Sequence, residues 1–285
     1  MPPVITAVAV AGSKLATAGD DHAIRVWDWK QGKLCWTHSG HDGWVRSMAL
    51  SLDSRWLATA GNDGRVRLWG FSDGELIAGS QQHPAAVTAL CWIPNDDRLL
   101  AAHFDGSIVV YGVPDLVPVD RWSHAGADVR AVAVLSDPPS LAVGDRSGTL
   151  SVYELHSGRL QATVRAHRGR LRALAVKDGQ IFSGGEDGCV SCWSCAQGEW
   201  IERWRLELPA RVNALLCLES LLVAGCSDNT LRLIDTASAT VQQELSGHCG
   251  SVTALASAGP CGLLSASFDT SVRYWQRQGT QEESP

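Results

Sequence analysis

GNDGRVRLW, residues 61–69, is the stretch that decides the fold. Asn62 and Asp63 stand between two glycines, which is the composition of a tight turn. The residues that follow alternate valine and leucine with arginine and end on Trp69, which is typical of a short strand. Related nonamers occur at six other places, namely 19–27 (GDDHAIRVW), 103–111 (HFDGSIVVY), 145–153 (DRSGTLSVY), 185–193 (GEDGCVSCW), 226–234 (CSDNTLRLI) and 267–275 (SFDTSVRYW).

The third residue of each nonamer marks a repeat of 40 to 42 residues, at Asp21, Asp63, Asp105, Ser147, Asp187, Asp228 and Asp269. Two further strand-like runs precede each nonamer, such as VRSMAL (45–50) and WLATA (56–60), and another follows it, such as KLCWTH (33–38). Four strands in about 41 residues is the size of a propeller blade. The sequence therefore predicts an all-β fold, a seven-bladed β-propeller of four-stranded antiparallel sheets.

The two ends of the chain make the seventh blade different from the others. Residues 1–275 are predicted to form the propeller and 276–285 a polar C-terminal tail. Only three residues precede the first strand, and the tail, QRQGTQEESP, lacks the apolar alternation of a strand. Blade seven is therefore expected to have three strands or a weak fourth, and its edge could be solvated, paired by the tail, or completed by a partner.

Composition limits the classes of partner. The formal net charge is −6, so no basic excess points to nucleic acid or to an anionic membrane. The apolar N-terminal residues lack the basic leader of a signal peptide. Nine cysteines, an odd number, lie partly within apolar runs, which favours a reducing compartment. A cytoplasmic protein is expected, with the nucleus left open.

One cluster of cysteines has spacing that resembles a metal site. CVSCWSC contains Cys189, Cys192 and Cys195, but it falls on a predicted strand, where successive thiols of this spacing point to opposite faces. Because no fourth ligand lies nearby in sequence, we predict no metal. Phosphate-binding glycine loops and paired acid and base carboxylates are also absent from the sequence, so no cofactor is expected.

The pairs Gly40-His41, Gly247-His248 and Trp27-Asp28 make the chain resemble the WD-repeat propellers over residues 4 to 275. The resemblance implies a hydrogen-bonded network in which a His before the first strand joins a Ser or Thr of the second, the turn Asp and the Trp of the third. Three blades carry all four members: His41, Thr59, Asp63 and Trp69; His167, Ser183, Asp187 and Trp193; His248, Ser265, Asp269 and Trp275.

A hydroxyl, a His and an Asp also form a catalytic triad, so the two interpretations compete. A triad needs an exposed nucleophile at one site, whereas this grouping recurs and its hydroxyl lies within an apolar strand. We therefore interpret the networks as structural and predict no enzymatic activity.

The remaining blades depart from the pattern and are expected to be less rigid where a partner is missing. The first lacks only the His. The third has Ala101 and Tyr111 in place of the hydroxyl and the Trp, and the sixth has Ala224 and Ile234. The fourth has His124 with Val143, Ser147 and Tyr153.

In proteins of the family that the chain resembles, the residues around the start of each first strand and before each turn Asp lie at the top mouth of the channel. One residue into the first strands stand Thr6, Arg46, Thr88, Arg130, Arg172, Asn213 and Thr253. Arginines and large aromatics dominate binding hot spots. The predicted partner-binding set is Trp44, Arg46, Phe104, Arg130, Arg170, Arg172, Arg211 and Phe268. The alternative is that some of these arginines only pair with neighbouring turn carboxylates.

The function predicted is a non-catalytic scaffold that binds an acidic peptide or protein at this top face, as a monomer or as a subunit of a hetero-complex. Two alternatives remain. Trp27-Asp28-Trp29-Lys30 weakly resembles the signature of subunits that recognise substrates for ubiquitin ligases. A propeller enzyme would need inward-facing acid, base or metal groups, and the first-strand positions offer mostly Thr, Arg and Asn.

Overall fold

The computed structural model of the chain describes residues 3–126, 128–259 and 262–276, which form strands, turns and loops without a helix. Blade 1 consists of β1 (Ile5–Ala11), β2 (Lys14–Gly19), β3 (Ile24–Asp28) and β4 (Lys33–His38). Blade 2 consists of β5 (Val45–Leu50), β6 (Trp56–Gly61), β7 (Val66–Gly70) and β8 (Leu76–Gly79). Blade 3 consists of β9 (Val87–Trp92), β10 (Arg98–His103), β11 (Ser107–Gly112) and β12 (Val117–Ser123).

The later blades repeat the plan. Blade 4 consists of β13 (Val129–Ser136), β14 (Pro139–Asp145), β15 (Thr149–Glu154) and β16 (Leu160–Arg165). Blade 5 consists of β17 (Leu171–Lys177), β18 (Gln180–Gly185), β19 (Cys189–Ala196) and β20 (Glu199–Glu207). Blade 6 consists of β21 (Val212–Leu218), β22 (Leu221–Cys226), β23 (Leu231–Asp235) and β24 (Thr240–Leu245). Blade 7 consists of β25 (Val252–Ser257), β26 (Gly262–Ser267) and β27 (Val272–Gln276).

Each blade is an antiparallel sheet in which the strands pair in chain order. The first strands pack against one another around the ring, and β25 of the last blade packs against β1 of the first. The predicted seven-bladed β-propeller is therefore confirmed. We call the face that carries the starts of the first strands and the turns between second and third strands the top face.

The second strands are the most deeply buried part of each blade. β6 buries every residue except Trp56, because its alanines and Leu57 face sheets on both sides. It ends on Gly61, where an added Cβ would lie 1.9 Å from the Trp44 carbonyl oxygen. Only glycine permits this approach of two backbones, which brings the turn and the start of the first strand together on the top face.

Apolar clusters fill the spaces between neighbouring blades. Leu68 and Leu99 belong to the cluster between blades 2 and 3, and both are fully buried. The cluster between blades 7 and 1 contains fewer buried side chains, of which Val8, Leu15 and Leu264 are the largest. Since each blade buries both of its faces only against neighbours, ring closure supplies much of the stability.

Blade 7 has three strands within the described residues, one of the two outcomes expected from the sequence. The edge strand β27 exposes 43% of Tyr274, whereas Leu68, its equivalent in blade 2, is fully buried. The Tyr274 ring lies 4.8 Å from that of Trp29 in blade 1. The predicted tail lies outside the described residues beyond Gln276.

Side chains of the first strands bridge the blades on both sides of this seam. The Thr253 hydroxyl donates a 2.7 Å hydrogen bond to the Ile5 carbonyl oxygen of blade 1. The Asn213 amide donates to the Val252 carbonyl oxygen at 3.0 Å. The Thr6 hydroxyl in turn donates to the carbonyl oxygen of Val45. The seam is thus held by polar bridges as well as by the apolar cluster.

Replacing Thr253 by valine should reduce the free energy of unfolding by about 1 kcal/mol, because the Ile5 carbonyl loses its donor while the side-chain volume is kept. Denaturant unfolding measures the change. Thr37→Val, at an exposed position of β4, is the matched control and should leave stability within about 0.5 kcal/mol of wild type. Equal effects of the two substitutions would contradict a specific role for the seam bond.

Candidate functional site

Blade 2 brings its four predicted network residues together. His41 Nδ1 lies 2.9 Å from an Asp63 carboxylate oxygen, and His41 Nε2 lies 2.8 Å from the Thr59 hydroxyl. The Trp69 indole N–H donates to the same hydroxyl at 2.9 Å. With Nδ1 donating to Asp63 and Nε2 accepting from the Thr59 hydroxyl, every bond among these four residues is completed. The network ties the loop that carries Trp44 to the second and third strands.

Blades 5 and 7 repeat this geometry. His167 lies 2.9 Å from both Asp187 and Ser183, and Trp193 donates to Ser183 at 3.0 Å. In blade 7 the corresponding distances from His248 are 2.8 Å to Asp269 and 2.7 Å to Ser265, and Trp275 donates to Ser265 at 2.8 Å. The hydroxyls of Ser183 and Ser265 are fully buried. Because the network hydroxyls of all three blades are buried, these networks join the loop to the strands of the blade and present no exposed nucleophile.

The turn aspartates remain ionised in these networks. Burial alone would raise the pKa of Asp63, but hydrogen bonds from His41 and Arg67 outweigh it and hold that pKa well below its usual range. The pKa of Asp187 is also lowered, since bonds from the Arg168 amide and His167 outweigh the effect of burial. Burial lowers the pKa of His167, so its imidazole is neutral at pH 7.

Blades 4 and 6 lack the complete four-residue network and form other polar pairs in its place. In blade 4, His124 contacts the Tyr153 hydroxyl at 2.8 Å and Asp145 at 3.4 Å, so Asp145 takes the part expected of the turn residue. In blade 6, the nearly buried Arg232 lies 2.7 Å from Asp228. Neither pair follows the His, hydroxyl, Asp and Trp pattern of blades 2, 5 and 7. Asp145 nevertheless stands only two residues before the turn residue Ser147.

Blade 3 contains a buried histidine, His103, that lacks one hydrogen-bond partner. The rings of His83 and His103 lie 3.9 Å apart, and His103 is fully buried. Nδ1 of His103 donates to the Ser107 carbonyl oxygen at 3.2 Å, while its Nε2 has no hydrogen-bond partner. Burial, reinforced by His83, lowers the pKa of His103 to about 4.

The top of the central channel is a cavity of about 330 Å³ that we call the mouth. Each blade contributes the residue one place into its first strand, which gives Thr6, Arg46, Thr88, Arg130, Arg172, Asn213 and Thr253. The loops and turns add Val4, Asp20, Trp44, Arg170 and Phe268. Trp44 and Phe268 are 47% and 55% exposed. Six of the eight residues predicted to bind a partner thus meet around one cavity.

The other two predicted residues lie beside the mouth. Phe104 lies against Arg130, whose guanidinium is 5.2 Å from the ring centre. Arg211 lines an adjoining groove with Arg170 and Glu186. That groove also contains Arg146, outside the predicted set, whose place directly before the turn residue is a signal that could have selected it.

Several of these arginines pair with carboxylates, as the alternative interpretation held. Glu186 is shared by Arg172 at 2.9 Å and Arg170 at 3.4 Å. Asp128 is shared by Arg130 at 2.7 Å and Arg146 at 3.5 Å. Each carboxylate neutralises only one of its two partners, so both clusters keep a positive charge.

Arg46 differs because its side chain bonds only to the neutral amide of Asn62 among the described residues. Partial burial and the charge of Arg130 lower its pKa below the ordinary arginine value. Among the described residues no carboxylate forms an ion pair with Arg46, so an added anion would be favoured beside it. The mouth is therefore basic within a chain of net charge −6.

Family models match both halves of the chain. The model described as WD domain, G-beta repeat matches residues 3–28, 32–70 and 74–112. Each of these matches ends at the end of a third strand of blades 1 to 3. The model described as outer membrane protein assembly factor BamB matches residues 146–282. Within that second half, blades 5 and 7 carry complete His–Ser–Asp–Trp networks. The chain is a seven-bladed β-propeller whose first three blades match WD repeats.

Curated relatives of this WD-repeat propeller match parts of it. F-box/WD repeat-containing protein 8 of Homo sapiens is 37% identical over 67 residues, which are 23% of this chain and 11% of that protein. U3 small nucleolar RNA-associated protein 21 of Saccharomyces cerevisiae is 25% identical over 55% of this chain, and WD repeat-containing protein 36 of Homo sapiens is 28% identical over 51%. The match spans 17% of each of these two proteins.

Two further findings concern the described part of the WD-repeat propeller. It contains no group of three or more His, Cys, Asp or Glu side chains arranged to hold a metal ion. Cys189, Cys192 and Cys195 instead lie along β19 with different exposures, and Cys192 is fully buried. Burial raises the pKa of Cys192 to about 11. No helix in these ranges is long and apolar enough to cross a membrane.

Asp63→Ala should lower the free energy of unfolding of the WD-repeat propeller by about 1–3 kcal/mol, because it leaves buried His41 without its acceptor. Urea unfolding tests this expectation. Asp97→Ala removes an exposed carboxylate from the turn before β10 and serves as the control. A loss no larger than that of the control would show that the network contributes nothing to stability.

Acid should destabilise the WD-repeat propeller partly through His103. Its pKa is about 4 in the folded chain and about 6.5 when unfolded, so the folded state resists protonation. The resulting stabilisation is complete above pH 6.5 and is lost as the pH falls from 6.5 to 4. His103→Gln should therefore reduce the loss of stability between pH 7 and pH 5 by about 2 kcal/mol. Unfolding is measured at both pH values, and exposed His156→Gln should leave the pH dependence unchanged.

Proposed function

We propose that this WD-repeat propeller is a non-catalytic interaction scaffold that binds an acidic, partly apolar segment of another protein at its mouth. The observation that carries this proposal is the charge of the top face. Four guanidiniums line the mouth, and they belong to Arg46, Arg130, Arg170 and Arg172. The carboxylates paired with them are those of Asp128 and Glu186, and the mouth also contains the Asp20 carboxylate, which accepts a hydrogen bond from the Val4 amide.

The two sides of the mouth favour different parts of a ligand. Arg46, Arg130 and Arg172 belong to blades 2, 4 and 5 and can bind carboxylates by charge-assisted hydrogen bonds. Val4 and Phe268 lie on the side of blades 1 and 7, and Trp44 lies on the adjacent loop of blade 2. Exposed tryptophan and arginine are the residue types that anchor protein partners. An acidic segment with one large apolar residue fits both sides.

The neutral side chains around the mouth support a scaffold rather than an enzyme. The hydroxyls of Thr6, Thr88 and Thr253 already donate to backbone carbonyl oxygens. Among the residues that the structure describes, no His is hydrogen-bonded to these hydroxyls, so none of the three is an activated nucleophile. Its arginines supply charge and hydrogen bonds, which serve recognition.

A role as the recognition subunit of a larger complex is the more specific form of this proposal. It is supported by the similarity to F-box/WD repeat-containing protein 8 over 67 residues. In that form, the mouth would hold the recognised protein while another surface would contact the remaining subunits.

Charge reversal in the mouth tests the proposal. The probe is a fluorescein-labelled peptide of glutamates with one central leucine, measured by anisotropy. The double variant Arg46→Glu/Arg172→Glu should weaken its binding about 100-fold, since each lost charge-assisted contact contributes about 1.4 kcal/mol or more. A peptide with lysines in place of the glutamates should not bind the wild type.

The matched control reverses two arginines on the opposite face, Arg55→Glu/Arg159→Glu, in the turns before β6 and β16. This variant should bind the acidic peptide like wild type, and both double variants should retain the strand circular dichroism spectrum. Equal binding by the mouth variant and wild type, or an equal loss in the control, would refute the proposed site.

A further inference from the structure

We propose that the acidic segment does not end at the mouth but continues across blade 5, in a trough that runs from the channel to the outer strand. This inference rests on the proposed function and adds the path of the partner. It also predicts that affinity depends on the length of the acidic segment.

Three concavities of the surface share residues and form the trough. The mouth and the groove above blades 4 to 6 share Arg170. That groove and a third concavity at the outer side of blade 5 share Arg168 and Asp187. The third concavity ends at Arg205 and Glu207 on β20. The concave surface is therefore continuous from the inner to the outer strand of the blade.

The trough carries a positive excess along its course. Outside the inner ring its guanidiniums belong to Arg146, Arg165, Arg168, Arg170, Arg205 and Arg211, and its carboxylates to Glu186, Asp187 and Glu207. Glu186 is bonded to Arg172, and Asp187 to His167. Arg205 is compensated, because it pairs with Asp187 at 3.2 Å and with Glu202 at 3.0 Å. Within the described ranges, the side chains of Arg168 and Arg211 take part in no ion pair, so both can bind a partner's carboxylates.

The backbone beneath the trough is held in place before any partner arrives. His167 is bonded to Asp187 and Ser183, and the Arg168 amide donates to Asp187 at 3.0 Å. The His167 amide also donates to the Gly148 carbonyl oxygen of blade 4 at 2.9 Å. A fixed loop lowers the entropy lost on binding, which favours this path over one across a mobile loop.

The trough fits an acidic polypeptide better than single-stranded nucleic acid. Glu186, Asp187 and Glu207 interrupt the arginines, so a polypeptide can place neutral residues beside these carboxylates, whereas a nucleic acid carries a negative charge at every nucleotide. The exposed aromatics Trp44, Phe104 and Phe268 lie around the mouth and not along the trough, so successive bases would find no stacking platform there.

The dimensions set the length of the probes. Four strands about 4.8 Å apart place the outer strand about 14 Å from the inner one, and an extended segment of about four residues spans that distance. A short peptide of about four residues, three glutamates and one leucine, can fill only the mouth. A long peptide adds about six residues of alternating glutamate and glycine and can cross the blade.

The test compares both labelled peptides on the wild-type propeller and on Arg168→Gln/Arg211→Gln. The long peptide should bind wild type more than 10-fold more tightly than the short one and should lose most of that advantage in the variant. The short peptide should bind both proteins equally. Arg55→Gln/Arg159→Gln on the opposite face is the matched control and should change neither affinity.

The possible failures are distinguishable. If the long peptide gains nothing over the short one, or the trough variant leaves its affinity unchanged, the path across blade 5 is wrong while the mouth site stands. If Arg46→Glu/Arg172→Glu also leaves the short peptide unaffected, the proposed function fails as well. A labelled oligouridylate could instead bind more tightly than the long peptide and lose that binding in the trough variant. This outcome would refute a polypeptide ligand and identify the ligand of the trough as nucleic acid.

Discussion

Each blade of this protein needs a neighbour on both of its faces, and the rest of the structure depends on that constraint. A sheet such as β5–β8 is apolar on both sides, and Leu57 and Leu68 of adjacent strands enter different inter-blade clusters. Burying both at once is possible only in a closed ring. Closure in turn places the start of every first strand at one opening, so the condition for stability also creates the mouth.

The turn aspartates connect this scaffold to the working surface. Asp63 and Asp187 hold the His of the preceding loop, and those loops carry Trp44 and Arg168. Because the aspartates are ionised and fully hydrogen-bonded, they stabilise a loop that would otherwise sample many conformations. The same four residues that form the repeated network therefore also position side chains that differ from blade to blade.

The sequence predicts the fold well because its signal repeats. Seven turns at 40 to 42 residues, with strand-like runs between them, leave few alternatives, and the blade boundaries follow from the same pattern. The ring of first-strand residues was predictable for the same reason, since an equivalent position in each blade must reach the same opening. The polar contacts within a single blade are less predictable, because a missing network residue is replaced by a partner that differs from blade to blade. Asp145 and Arg232 each satisfy a polar group through a partner that only the folded register brings near.

The pairing of charges at the mouth is another property that sequence alone does not supply. Arg170 and Arg172 look equally available along the chain, yet both share Glu186, while Arg46 bonds to the neutral Asn62 and has no carboxylate in direct contact among the described residues. The carboxylate that compensates an arginine can come from a turn 14 or 16 residues away, as Glu186 does. The number of arginines therefore overstates the charge offered to a partner. What the folded chain offers is one weakly compensated cation at Arg46 and a shared positive excess over blades 4 to 6, which makes the top face asymmetric and gives a bound segment a direction.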